Sequence, residues 1–162
     1  YENRGEGDKW SALIERMTEP ESRAGRKGRH ALFCARSMWR NTHGERAGGL
    51  EDAERAFQEA NPGEESQRAA QRIVYCCLPV GALVRAEEAA RDALLHSGER
   101  LDLKVRSLRS LGIVYTWQGK GDEAIEAQEE VLDLCRQAGL RARVPVALHD
   151  LGEACRMALE MD

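Results

Sequence analysis

The 162-residue chain is 42% hydrophobic and 32% charged but only 5% aromatic, and it carries a formal net charge of −4. This length fits one domain or one piece of a longer array, and the composition favours stacked amphipathic helices. The weak negative charge argues against direct binding of nucleic acid. No run approaches the ~20 apolar residues that a membrane-spanning helix needs.

The chain begins at Tyr1 with a polar stretch and shows neither an initiating Met nor a signal peptide, as an excised segment would. Its five cysteines form no Cys-x-x-Cys pair. We therefore expect them to serve as small apolar residues in a reducing, cytoplasmic compartment.

Residues 1–29 are predicted to form an N-terminal extension. Its short apolar stripe at helical spacing consists of Trp10, Leu13, Ile14 and Met17. A basic stretch between Arg23 and His30 follows the stripe. We interpret this stretch as a solvated linker, with contact to phosphates or to an acidic partner as the alternative.

Two helical hairpins are predicted over residues 30–61 and 66–97. In the first hairpin, residues 31–41 carry an apolar stripe made of Leu32, Ala35 and Trp39. Its second helix, residues 50–60, has small and aromatic residues at Ala53, Phe57 and Ala60. The next hairpin carries Ala70, Ile73, Val74 and Cys77 in its first helix, then Ala86, Ala90, Ala93 and Leu94 in its second.

The clearest hairpin is predicted over residues 102–138. One helix face carries, at i, i+3, i+4 and i+7, the residues Leu108, Leu111, Gly112 and Tyr115. Gly112 allows a second helix to approach its backbone closely, whereas Arg36 occupies the corresponding position of the first hairpin. Gly119 is expected to end the first helix, and Asp122 is expected to cap the second.

A final helix is predicted over residues 145–162. It repeats the motif of the third hairpin 40 residues later, as Leu148, Leu151, Gly152 and Cys155. We expect this helix either to cap the array or to lie at the cut edge of a longer one.

These hairpins resemble those of the tetratricopeptide repeat (TPR) family, with repeats slightly longer than the usual period of about 34 residues. The resemblance covers about residues 30–162. It implies an all-α fold, a right-handed α-α superhelix of about three helical hairpins plus a terminal helix. It also implies a protein-protein interaction module, because the first helices of successive hairpins in that family line a concave groove that binds a partner peptide or helix.

The groove residues implied by the resemblance lie beside the packing stripe of each first helix. They are Arg68, Gln71, Tyr75, Arg106, Arg109, Ile113, Thr116, Trp117, His149, Glu153 and Arg156, to which the first hairpin would add His30, Phe33, Ser37 and Arg40. The expected centre is formed by Arg106, Arg109 and Trp117 with Tyr75 and Arg68. The many arginines favour an acidic or carboxylate-bearing partner. The set lacks the family's Lys/Asn clamp for C-terminal carboxylates.

A second hypothesis is a sensory or regulatory role. The stretch Leu148-His-Asp-Leu-Gly-Glu-Ala154 resembles TPR regions of bacterial regulatory proteins. This resemblance implies a segment of a larger transcription or signalling regulator, and a winged-helix or NTPase domain beside it would favour that hypothesis.

The sequence offers no catalytic constellation. His149 and Cys155 lie almost two helical turns apart, too far for a direct hydrogen bond. His30 and Cys34 have the i, i+4 spacing of a zinc-binding pair, but no second pair of ligands accompanies them. We therefore predict a chain that is not an enzyme and uses no metal or cofactor.

Overall fold

The computed structural model describes residues 25–161, so the apolar stripe predicted between Trp10 and Met17 lies outside the described residues. This part of the chain consists mainly of seven α-helices and contains no strand. The helices are α1 (Arg26–Thr42), α2 (Arg46–Gln58), α3 (Glu64–Cys77), α4 (Leu83–Leu95), α5 (Leu101–Gln118), α6 (Gly121–Gln137) and α7 (Val144–Met161).

Consecutive helices pack in pairs along the chain. We call α1/α2, α3/α4 and α5/α6 hairpins A, B and C, and α7 packs against hairpin C. Each first helix also contacts the first helix of the next pair, so α1, α3, α5 and α7 adjoin along one side of the array. We call this side the first-helix face. The predicted all-α array of helical hairpins is thereby confirmed.

A glycine in the left-handed conformation ends α5, as predicted. Gly119 has a φ of 73°, and the amide of Lys120 donates to the carbonyl oxygen of Tyr115. The next helix begins directly after Lys120, which stands at the N-cap position that was predicted for Asp122. Asp122 lies in the first turn instead, where its carboxylate suits the positive end of the helix dipole.

Small side chains dominate the interfaces between the helices. In α4, the residues that are at most 2% exposed are Ala86, Ala89, Ala90 and Ala93. They belong to one buried cluster with Ile73 and Val74 of α3. A second cluster joins α5, α6 and α7 and includes Val105, Val131, Cys135 and Ala147. Because alanine adds little bulk, the helices of a hairpin can approach closely without leaving a cavity.

Within the described residues, the basic side chains Arg26, Lys27 and Arg29 belong to α1 and not to a linker, whereas Arg23 lies outside the described residues. The helix begins at Arg26, although the sequence predicted a start near Ala31. Two carboxylates, one just after α2 and one in α3, explain the longer helix. The guanidinium of Arg29 donates two hydrogen bonds of 2.9 Å to Glu59, and Arg26 lies 3.5 Å from Glu65. Their charges offset the repulsion among the basic side chains of this stretch. The second helix of this hairpin likewise begins earlier than predicted, at residue 46.

The packing stripe predicted for the final helix is wrong in part. Ala147 and Ala154 are the residues that α7 buries, whereas Leu148 is 49% exposed and Gly152 is exposed. The reason lies in what covers each face. In hairpin C, the Gly112 face of α5 is covered by α6, but among the described residues no helix covers the Gly152 face of α7.

Candidate partner-binding face

All eleven residues predicted to bind a partner lie on α3, α5 or α7, the helices of the first-helix face. Several of their charges are already paired within their own helix. Arg68 forms an exposed ion pair with Glu64, and Arg156 pairs with both Glu153 and Glu160. Exposed pairs of this kind hold their partners weakly, so a ligand can compete for these groups. His149 is also exposed.

Arg109, predicted at the centre of the groove, is engaged in a contact between hairpin C and α7. Its guanidinium donates a short hydrogen bond to Asp150 of α7 and also reaches the hydroxyl of Tyr75 on α3. Burial disfavours its charge, but the hydrogen bond and the charge of Asp150 together raise the pKa of Arg109. Gln71 donates to the same Tyr75 hydroxyl at 3.2 Å. These side chains therefore connect three first helices.

Two other arginines of this face have no such partners. The Nε atoms of Arg72 and Arg106 are excluded from solvent and make no hydrogen bond. Neither guanidinium lies within ion-pair distance of a carboxylate of residues 25–161, although the charge of Arg106 contributes to lowering the pKa of Asp102. Arg106 was predicted as a site residue, but Arg72 was not, because it lies one position beyond the predicted Gln71. A wider reading of the α3 face would have included it.

A cavity of about 240 Å³ lies between α5 and α7. We call it the Trp117 cavity; its lining consists of Ile113, Thr116, Trp117, Gln128, Asp150 and Glu153. Four of these six residues were predicted from the sequence, whereas Gln128 and Asp150 were not. Trp117 is 56% exposed at its edge, and the Oε1 atom of Gln128 is buried without a hydrogen-bond partner. The cavity therefore offers an apolar rim and an unused acceptor.

A second cavity of about 240 Å³ lies between α1 and α3, and we call it the Arg72 cavity. Its lining includes Ser37, Met38, Asn41, Arg72, Tyr75 and Cys76. The side-chain amide of Asn41 donates to the carbonyl oxygen of Tyr75 at 3.4 Å, which leaves its own Oδ1 atom buried and without a partner. Met38, on the cavity wall, is 48% exposed.

The residues suggested for hairpin A mostly serve its own packing. His30 is buried, and its Nδ1 atom lies 2.9 Å from the carbonyl oxygen of Ala56. Phe33 is 6% exposed and packs against α2, and Arg40 of α1 pairs with Asp52 of α2. These side chains of α1 therefore contact its hairpin partner and are not available to a ligand. Of the four residues suggested for this hairpin, Ser37 alone lines a cavity described above.

The described residues provide no cluster of three or more His, Cys, Asp or Glu side chains that could hold a metal ion. The Nε2 atom of His30 and the Sγ atom of Cys34 lie 3.7 Å apart inside hairpin A. Between residues 25 and 161, no helix is long and apolar enough to cross a bilayer.

Comparison with known proteins identifies the region that contains the Trp117 cavity. A family model for the tetratricopeptide repeat matches residues 104–161, which span nearly all of α5 together with α6 and α7. Neither the curated proteins nor the solved structures yield a match to the chain. The matched segment has the helix order and the glycine contact on which the resemblance was based. Residues 104–161 therefore match the tetratricopeptide repeat family.

Proposed function

We propose that the chain is a protein-interaction module whose first-helix face binds a segment of a partner protein around Trp117. The match of residues 104–161 to the TPR family supports a protein partner in general terms. The observation that carries the proposal is Trp117 itself, a large aromatic side chain that remains 56% exposed beside a cavity on this face. Tryptophan is enriched among residues that dominate binding energy.

The chemistry of the cavity indicates what it would bind. Ile113 and the indole of Trp117 provide apolar surface, and the Oε1 atom of buried Gln128 can accept a hydrogen bond. An apolar side chain of the partner would remove the indole from water, and a neighbouring backbone amide would satisfy Gln128. An acidic partner is favoured over a basic one, because the unpaired guanidinium groups of Arg72 and Arg106 belong to the same face.

The test is selection from a displayed library of random dodecapeptides, followed by affinity measurements on the enriched peptides. Trp117→Ala should weaken binding of those peptides by about 2 kcal/mol or more. The matched control is Leu95→Ala, which truncates a residue that is 80% exposed on α4, away from the first-helix face. Equal affinities for wild type and Trp117→Ala, or the absence of any enriched peptide, would contradict the proposal.

A further inference from the structure

We propose that the Arg72 cavity is a subsite for a side-chain carboxylate of the partner segment. This inference rests on the proposed function and adds the chemistry and spacing of a second contact point. The occupant is an internal Glu or Asp of an extended segment whose apolar anchor lies in the Trp117 cavity. The two cavities lie between different pairs of first helices, so one segment crossing the face could reach both.

The charge of Arg72 is the first reason. Its Nε atom is excluded from solvent and has no hydrogen-bond partner, and no described carboxylate forms an ion pair with it. Other arginines of the first-helix face are provided with acids: Arg68 has Glu64, and Arg109 has Asp150. A guanidinium binds a carboxylate with two parallel hydrogen bonds, which would satisfy both the charge and the Nε–H group.

The walls of the cavity are the second reason. Met38 and Tyr75 can contact the methylene groups of an acidic side chain while its carboxylate reaches Arg72. The Oδ1 atom of Asn41 is a buried acceptor without a donor, and a peptide N–H beside the acidic residue would supply one. A residue that presents its side-chain carboxylate has its own peptide N–H and that of the next residue, whereas a C-terminal residue has only its own. A side-chain carboxylate therefore leaves two N–H groups from which Asn41 can be satisfied, against one for a chain end.

The distance between the cavities sets the spacing of the two anchors. One cavity lies between α1 and α3 and the other between α5 and α7, which is two helix positions along the face. Packed helices are about 8–10 Å apart, so the cavities are separated by roughly 16–20 Å. An extended chain advances about 3.3 Å per residue. The acidic residue should therefore lie about five or six positions from the apolar anchor.

The experiment is a parallel selection of displayed random dodecapeptides on four proteins: wild type, Arg72→Gln, Arg68→Gln and Trp117→Ala. Peptides selected by wild type should be enriched in Glu or Asp at the stated distance from an apolar residue. Arg72→Gln should lose the acidic preference and keep the apolar one. Arg68→Gln is the matched control, because Arg68 lies on the same helix but does not line the Arg72 cavity, so the acidic preference at the stated distance should persist.

Affinities of one enriched peptide and its Glu→Gln counterpart then isolate the contact. The Glu→Gln peptide should bind wild type about tenfold more weakly than the original peptide, because one charged hydrogen-bonded pair is lost. The two peptides should bind the Arg72→Gln protein with equal affinity. Thermal melts confirm that each variant is folded.

An acidic preference that survives in Arg72→Gln, or appears only for peptides with a free C-terminal carboxylate, overturns the subsite. Binding that depends on Trp117 without any acidic preference also overturns it and leaves the proposed function intact. Insensitivity to Trp117→Ala counts against the proposed function instead.

Discussion

In hairpins A and C the first helix meets the second at residues that stand 16 positions apart in the sequence, but the side chains at these positions differ completely. Hairpin A places Arg36 against Asp52, with hydrogen bonds of 2.8 and 2.5 Å between guanidinium and carboxylate. Hairpin C places Gly112 against Gln128, and a Cβ atom on that glycine would lie 2.5 Å from the amide nitrogen of Gln128. Arg36 and Asp52 are both buried, as Gly112 and Gln128 are.

In hairpin C a glycine of the first helix, Gly112, permits the close approach of the two helices. In hairpin A a glycine of the second helix, Gly49, does so. A Cβ atom on Gly49 of α2 would lie 3.2 Å from the backbone nitrogen of Asn41 and 3.2 Å from the carbonyl oxygen of Ser37. A long first-helix side chain is thus tolerated at the crossing because the neighbouring glycine belongs to the second helix. These hairpins therefore constrain a pair of facing positions and not the residue type at either one.

The largest expected effect comes from the charged crossing. Asp52→Ala removes the carboxylate that Arg36 and Arg40 share, and breaking a buried pair should lower the free energy of unfolding by about 3–5 kcal/mol. Urea denaturation measures the loss. The neighbouring Glu51→Ala is the control, because its pair with Arg55 is exposed and should contribute about 0.5 kcal/mol or less. Similar losses for the two variants would mean that the crossing of hairpin A does not depend on its ion pair.

The glycine crossing should respond to added volume. Gly112→Leu forces the buried Gln128 side chain out of its place, and we expect a loss of about 1–3 kcal/mol in the free energy of unfolding. Adding Gln128→Ala should restore part of that loss, because it makes room for the new side chain. If the double variant were less stable than the sum of the two single changes, Gln128 would not be the side chain that limits the approach of the helices.

An acid outside the crossing connects hairpin B to hairpin C. Glu87 of α4 accepts hydrogen bonds from Gln118 at 2.8 Å, Arg91 at 2.9 Å and Lys120 at 3.2 Å. The hydrogen bond from Gln118, followed by those from the two cations, lowers the pKa of Glu87 from 4.5 to about 2. The unfolded chain thus binds this proton more tightly, so the stabilisation is complete above pH 4.5 and is lost as the pH falls toward 2.

Glu87→Gln should accordingly cost about 1–2 kcal/mol at pH 7 and progressively less between pH 4.5 and pH 2. Urea denaturation at a series of pH values measures the difference between variant and wild type. A difference that stays constant down to pH 2 would show that Glu87 acts through its shape and not through its charge.

The smallest effect is expected at the glycine of α7 that matches Gly112 in the sequence. A Cβ atom on Gly152 would meet no other atom within 4 Å. Gly152→Ala should therefore stabilise the chain by about 0.5–1 kcal/mol, because alanine is the better helix former. Thermal unfolding measures the change. Destabilisation comparable to that of a Gly112 variant would indicate that another element packs against this face in solution.

The sequence predicts the hairpins well because their apolar residues recur at helical spacing, as the stripe from Leu108 to Tyr115 shows. Periodicity reveals which residues face a neighbour but not whether that neighbour is present. For this reason the α7 stripe was extrapolated from α5, and Leu148 was assigned to a contact that the described chain does not make. The Arg36–Asp52 pair could have been found by comparing facing positions, since its spacing equals that of Gly112 and Gln128.

The candidate site was harder to predict because its chemistry depends on contacts between hairpins. Arg109 and Asp150 are 41 residues apart, and nothing in the local pattern of either helix indicates that they meet. The sequence pattern therefore predicted Arg109 as a partner-binding residue. The pattern omitted Arg72, because neighbouring positions on a helix differ by about 100° in direction and an apolar stripe does not define the edge of a face to within one residue.

Each hairpin carries at least one buried thiol, with Cys76 and Cys77 both buried in hairpin B, and this gives the array a set of chemical probes for local opening. Burial raises the pKa of Cys34 in hairpin A and of Cys135 in hairpin C, and it raises the pKa of Cys77 in hairpin B to about 11. Since the thiolate is the reactive species, alkylation requires a hairpin to open and expose its cysteine. The order in which iodoacetamide modifies Cys34, the Cys76–Cys77 pair and Cys135 would therefore rank how readily the hairpins open, without any engineered label.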